Sequence, residues 1–182
     1  YLLGLVLALM INKKGIKGKK VWRTIFVMTI AVPQFVSLLL ISRMFGDSGP
    51  VNIILQNLGM EPIRFLTDGK IARVMVVIIN LWVGIPYTML ITSGILMNIP
   101  AELYESARID GAGVLRTFFK ITMPYVLFVT TPYLITQFVG NFNNFNVIYL
   151  LTQGDPKSVW LYQAGETDLL VTWLYKLTVT YQ

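Results

Sequence analysis

The sequence predicts an all-α, polytopic bundle of transmembrane helices, truncated at both ends. Three observations carry that expectation. The 182 residues are 55% hydrophobic and only 13% charged, whereas a soluble domain usually carries about 25% charged residues. The mean hydropathy is +0.64, and the apolar residues gather in uncharged runs near the length of about 20 residues that a helix needs to cross a bilayer. The charge between those runs changes character from one connection to the next, as it does when successive loops lie on opposite sides of a membrane. Neither cysteine nor histidine occurs, which excludes a disulfide scaffold, thiolate and imidazole metal sites and His-based catalysis. The net charge of +6 is concentrated in one connection and reads as a topology signal, not as a nucleic-acid footprint.

The elements follow in order. The chain opens at Tyr1 inside an apolar run, "YLLGLVLALMI", too short to span a bilayer and without the basic segment that precedes a signal-peptide core. It is expected to begin midway through a transmembrane helix of a longer protein. "NKKGIKGKKVWR" (Asn12 to Arg23) carries Lys13, Lys14, Lys17, Lys19, Lys20 and Arg23 and no acid, which marks the cytoplasmic side. Thr24 to Ser42 forms a first uncharged run and Val74 to Met97 a second, and no charge occurs from Ile121 to Gly154, with a third span starting near Pro124. Pro33, Pro86 and Pro132 lie within these runs and should kink their helices, because each lacks a backbone donor. The connection from Arg43 to Lys70 has three basic and three acidic residues and belongs outside; Asn98 to Lys120 returns to the cytoplasm. The closing part, Asn141 to Gln182, lies outside again, and "DLLVTWLYKLTV" reads as a surface helix or the approach to a further span. No internal repeat or soluble boundary stands out, so residues 1–182 read as a single membrane domain.

None of the three runs contains an ionisable residue. Ion-coupled carriers commonly place such residues in their spans, channels use charged selectivity rings, and an intramembrane enzyme needs acid, base or nucleophile there. All three classes are disfavoured. No Gly-x-x-x-x-Gly-Lys-Ser/Thr phosphate loop occurs either, since Gly18-Lys19 and Gly69-Lys70 lack the following Ser or Thr.

The cytoplasmic stretch "NIPAELYESARIDGAGVLRTFFKITMP" has helix punctuation. Pro100 suits a first helical turn, Glu102 and Glu105 lie near the positive end of the helix dipole, and Gly111 suits a left-handed C-terminal turn. The expectation is a short helix from about Pro100 to Asp110, a bend, and a second helical run from about Val114. Most connections between elements are a few residues long; this one has roughly 25 and its own helix. Two readings stand: a protein-docking element, or an interfacial helix on the membrane surface, the latter favouring an excess of Lys and Arg that is missing here.

These residues resemble the cytoplasmic "EAA" loop of the permease subunits of bacterial ATP-binding-cassette importers: Glu-Ala-Ala, three variable residues, Gly, and about nine residues later Ile-x-Leu-Pro. Glu105, Ser106 and Ala107 stand at the first three places, Gly111 at the glycine, and Ile121-Thr122-Met123-Pro124 at the end. Ser106 and Met123 depart from the pattern by small changes of volume. "LWVGIPYTM", "NFNNFNVIYLLTQGDP" and "YQAGETDLLVTWLYKLT" resemble the maltose/maltodextrin (MalF-type) branch, from about residue 20 onward. The resemblance implies a multi-pass protein of the bacterial cytoplasmic membrane, working with a homologous second permease, two ATPase subunits and an extracytoplasmic sugar-binding protein. ATP and its magnesium would be used by the ATPase partner; no catalytic, cofactor or metal site is expected in this chain. Residues 98–123 would form the coupling loop, with Glu102, Glu105, Ser106, Ala107, Asp110 and Gly111 meeting the ATPase.

Sugars need neutral hydrogen-bonding groups and aromatic faces. Two clusters offer them: Gly84, Pro86 and Tyr87 near mid-span, and Asn141, Asn143 and Asn144 with Phe142 and Phe145 near the outer end of the third span. Asn141 and Asn144, three apart, would share a helix face. The alternative is that the asparagines cap the span and Tyr87 anchors at an interface. With the family resemblance, Gly84, Tyr87, Asn141 and Asn144 become candidates for the sugar path. Another carbohydrate, glycerol-3-phosphate, or a non-transporting membrane scaffold are the rival readings.

Overall fold

In the computed structural model, residues 1–180 are described apart from Lys14 and Leu161; Lys14, one of the six basic residues counted above, thus lies outside the described residues. Among the described residues the regular secondary structure is helical, and the one β feature is an isolated antiparallel bridge between Lys157 and Gly165. Its helices are α1 (Leu2–Asn12), α2 (Lys19–Ala31), α3 (Gln34–Met44), α4 (Pro50–Asn57), α5 (Gly69–Met97), α6 (Ala101–Ile109), α7 (Val114–Thr117), α8 (Met123–Phe142), α9 (Phe145–Leu151) and α10 (Leu170–Tyr175). Single π-helical turns at Phe118–Thr122 and Lys176–Thr180 join α7 to α8 and extend α10.

Among the described residues, two helical runs are long and apolar enough to cross a membrane, Gly69–Met97 and Val114–Leu151. Their apolar side chains face outward: Phe128 is 82% and Phe138 67% exposed, the inverse of a soluble protein's surface. The first expected span is corrected in form. Thr24 to Ser42 is not one kinked helix but the end of α2 and most of α3, separated at Val32 and Pro33. Pro33 donates no hydrogen bond, and its ring drives Val32 out of the helical region. Pro86 and Pro132, by contrast, sit inside the unbroken α5 and α8. α8 begins at Met123, beside Pro124 where the third span is expected to start, and the helical run expected from about Val114 leads into it through a π turn.

The chain packs as two compact units, each built from two stretches. One comprises residues 1–31 and 84–138. Its core holds Leu5, Ile99 and Val126 in one cluster and Ala8, Ile11 and Met89 in another. Small residues let α1 approach α5: a Cβ at Gly4 would lie 2.6 Å from the Thr88 Cβ, the close contact that small residues permit between membrane helices. The Tyr1 hydroxyl and Thr130 Oγ1 share a 2.8 Å hydrogen bond, and Asn12 Nδ2 donates to the buried Ser93 Oγ at 3.0 Å.

The other unit comprises residues 32–83 and 139–182. Leu38, Leu66, Met75, Ile79, Val147 and Leu151 form its core. Asn52, 1% exposed, fastens α4 to the following loop by donating to the Ile63 carbonyl at 2.9 Å and accepting from the Ile63 amide at 2.8 Å. The last loop is held by a buried ion pair between Lys176 and Asp168, whose side chains are 9% and 3% exposed. The Asp168 carboxylate also accepts from the Gly165 amide at 2.6 Å and the Thr172 hydroxyl at 2.9 Å. The closing apolar stretch is α10 and its π-helical extension.

Candidate functional site

The loop of residues 98–123 lies wholly within the first unit. Pro100 stands extended ahead of α6, Glu102 sits in the first turn, and Asp110 caps the C-terminus. The helix ends in a complete Schellman motif. Ala112 N donates to Ala107 O at 2.8 Å and Gly111 N to Arg108 O at 3.0 Å. Gly111 has φ +70°, which a β-carbon would strain. A glycine four residues after Ser-Ala's alanine is therefore a backbone requirement of this turn. Ala107 is buried at 7% exposure, so its small size lets α6 pack against the unit, whereas Glu102, Glu105, Ser106, Asp110 and Gly111 face outward. Tyr104 anchors the inner face through a 3.0 Å hydrogen bond between its hydroxyl and the buried Thr122 Oγ1.

The outer face of this loop is amphipathic. Ile109, Val114 and Leu115 are 86%, 87% and 74% exposed, and they accompany the acids on one rigid turn-helix element. A rigid element with apolar tips and carboxylates suits a protein cleft with basic edges. Beside α6, within the same unit, lies a cavity of about 810 Å³ lined in part by Tyr104, Glu105 and Arg108.

Of the other candidates, Gly84 and Tyr87 lie in the first unit. α5 runs unbroken through Gly84 and Pro86, and a Cβ at Gly84 would meet no atom within 4 Å. Thr88 Oγ1 donates to the Gly84 carbonyl at 3.1 Å, and the hydroxyl bonds Tyr133 Oη at 2.7 Å. The Tyr133 ring stands 5.9 Å from that of Tyr87, tilted by 51°. Tyr87 is 47% exposed, leaving an aromatic face available to a ring of mixed polarity.

Asn141 and Asn144 lie in the second unit, and there the expectation of one shared helix face is corrected. α8 ends at Phe142, and Asn144 is the N-cap of α9, its side-chain oxygen accepting from Val147 N at 3.3 Å. Short amide side chains compete with the helical backbone and favour such caps, so the run Asn141-Phe142-Asn143-Asn144 interrupts the helix. The two asparagines meet nonetheless through a third. Asn144 Nδ2 donates to Asn80 Oδ1 at 2.9 Å, and Asn80 Nδ2 donates to Asn141 Oδ1 at 2.7 Å. Asn80 escaped the sequence reading. Its signal was a lone amide in the apolar run Val74 to Val83, which in a membrane segment needs a polar partner.

Comparison with known proteins agrees with this architecture. Residues 1–180 match the family described as "Binding-protein-dependent transport system inner membrane component". The chain is 44% identical over 179 residues to the galactooligosaccharides transport system permease protein GanP of Bacillus subtilis (strain 168), covering 97% of this chain and 43% of GanP. It is 44% identical over 185 residues to the maltodextrin transport system permease protein MdxF of the same organism, with 97% and 42% covered. The maltose/maltodextrin transport system permease protein MalF of Photorhabdus laumondii is 42% identical over 177 residues, with 96% and 34% covered. The chain thus spans less than half the length of these relatives. Among solved structures, a bacterial ABC transporter involved in the import of the acidic polysaccharide alginate superimposes with a TM-score of 0.72 at 26% identity, covering 98% of this chain and 61% of that one. The alginate transporter in complex with an alginate pentasaccharide-bound periplasmic protein gives 0.73 at 27%, with the same coverage. A helical membrane architecture and a family match along nearly the whole sequence lead to one assignment: the chain belongs to the family of binding-protein-dependent transport system inner membrane components.

Proposed function

We propose that this chain forms part of the translocation path of an ATP-driven sugar importer, as a multi-pass permease subunit of the cell membrane. The observation that carries the proposal is the Schellman-terminated helix α6, whose exposed Glu102, Glu105, Ser106 and Asp110 follow the pattern of a coupling loop. A separate ATPase subunit receives this helix in a cleft. When two such subunits close on ATP, the rigid helix carries their motion into the bundle. A second, homologous permease completes the path, and an extracytoplasmic binding protein delivers the sugar. Glu105 meets a basic side chain of the ATPase, and Gly111 supplies the bend.

The substrate we assign is a neutral oligosaccharide of the maltodextrin class. Tyr87 offers an aromatic face, and Asn80, Asn141 and Asn144 offer amides in uncharged segments. Such groups recognise hydroxyls without compensating a charge. A galactooligosaccharide is the second reading, favoured by the equal 44% identity to GanP and MdxF. ATP-dependent uptake of labelled maltodextrins, galactooligosaccharides and glycerol-3-phosphate by the reconstituted complex decides among them. Uptake of maltodextrins alone is the expected result; uptake of none of these, with a stable complex, would overturn the transport reading.

A further inference from the structure

The end of α1 gathers positive charge that forms no ion pair among the described residues. The Asn12 carbonyl accepts from Lys19 Nζ at 3.3 Å, and Asn12 Oδ1 accepts from Arg23 Nη2 at 3.5 Å. Lys13 follows directly, exposed. The Arg23 Nη2 also donates to Met97 Sδ at 3.3 Å, and its Nε is buried with no hydrogen-bond partner among the described residues. The ion pairs among the described residues, Arg73 with Glu166 and Lys176 with Asp168, both lie in the other unit. The C-terminus of a helix supplies about half a negative charge, too little for three cations. A buried guanidinium nitrogen without an acceptor costs free energy that a bound anion would recover.

The cavity of about 810 Å³ adjoins this cluster, with Asn12 and Lys13 on its wall. Most of the neighbouring wall is apolar, including Leu9, Met10 and Phe118; Glu105 and Arg108 line it where it meets α6. Inorganic phosphate would use the cations and leave the apolar wall wet. An amphiphile with an anionic head uses both, and basic pockets among membrane helices on the cytoplasmic side suit such heads. We propose that this is a binding site for an anionic phospholipid of the cytoplasmic leaflet. Its phosphate is held by Lys13, Lys19 and Arg23, and an acyl chain lies along Leu9, Met10 and Phe118. Because Glu105 and Arg108 share the cavity, occupancy bears on the seating of the coupling helix α6. The proposal rests on the cytoplasmic placement of this end, which belongs to the transport reading above.

The test uses the complete complex with its partner subunits, extracted from vesicles of phosphatidylcholine with or without phosphatidylglycerol and weighed by native mass spectrometry. The wild type is expected to retain phosphatidylglycerol. Lys13→Gln, Lys19→Gln and Arg23→Gln each lower its retention roughly fivefold, the effect of one basic residue near an anionic surface. Lys13→Gln is an exposed change and keeps the test valid if Arg23→Gln fails to assemble. Equal retention by wild type and Lys13→Gln and Lys19→Gln overturns the site. Full displacement by inorganic phosphate identifies a soluble anion and also overturns the lipid assignment, as does loss of the ATPase subunit from Lys13→Gln. ATP-driven uptake in the vesicles that contain phosphatidylglycerol is measured in parallel: its absence in the wild type bears on the transport reading, whereas lipid retention bears on the site.

Discussion

Asn144 does two things at once, and separating them gives a sharp test of the sugar path. Its side-chain oxygen caps α9 at Val147 N (3.3 Å), and its amide nitrogen donates to Asn80 at 2.9 Å. Asn144→Ala removes both. Loss of an N-cap costs about 1 kcal/mol, and loss of one partly buried hydrogen bond about 1 kcal/mol, so the variant should be destabilised by about 2 kcal/mol. Asn144→Ser retains a capping hydroxyl and loses only the amide, with a cost near 1 kcal/mol. If the Asn80–Asn141–Asn144 amides also hold sugar hydroxyls, both variants raise the half-saturating sugar concentration. One neutral hydrogen bond of about 0.5–1.5 kcal/mol corresponds to roughly a 2- to 12-fold rise. The assay is sugar-stimulated ATPase of the reconstituted complex, beside thermal unfolding of the same samples. Unchanged sugar dependence in Asn144→Ser, Asn144→Ala and Asn80→Ala, alongside the expected loss of stability, would reduce the cluster to a helix cap and refute the sugar role.

Three further outcomes follow from the geometry. Lys176→Met leaves the Asp168 carboxylate buried without its cation and should destabilise the second unit by about 3–5 kcal/mol. Faster proteolysis within the loop of residues 153–168 reports it, and an unchanged cleavage rate contradicts the assignment. Gly4→Val places a side chain 2.6 Å from Thr88 Cβ and should cost about 1–3 kcal/mol by overpacking, read as a lower yield of monodisperse complex. Gly111→Val forces a β-branched residue to φ +70° at a cost of roughly 1–3 kcal/mol; ATP hydrolysis should then proceed with reduced uptake per ATP, and unaltered coupling would contradict the need for this bend.

Helical class, uncharged spans and loop punctuation were legible because they are local. Pro100, Glu102 and Gly111 act through caps, dipole and backbone dihedral, and α6 with its Schellman turn lies where they place it. What the sequence concealed was set by contacts distant along the chain. The break at Val32 and Pro33 looked like one more proline kink, yet Pro86 and Pro132 stay within continuous helices; local rules do not distinguish a bend from a break. Asn80 was missed because its role depends on Asn141 and Asn144, more than 60 residues away. The stretch that holds Lys176 read as a surface helix or the approach to a further span, whereas Asp168, Gly165 and Thr172 build a buried cage around the Lys176 ion pair. The basic run from Asn12 to Arg23 did not disclose the convergence of Lys19 and Arg23 on Asn12.

The central claim is that α6 delivers the motion of an ATPase to the bundle. These 182 residues contain no cysteine, so a thiol introduced here is the only one they carry, and the complex without an introduced thiol serves as the background control. Ser106 is exposed on α6, and Ser48 is exposed in the connection between α3 and α4. In the assembled, transport-active complex, a short thiol–amine cross-linker should join Ser106→Cys to the ATPase subunit, with a yield that changes on ATP addition, and leave Ser48→Cys unlinked to it. Transport-active complex in which Ser106→Cys never links to the ATPase, with or without ATP, would contradict the account.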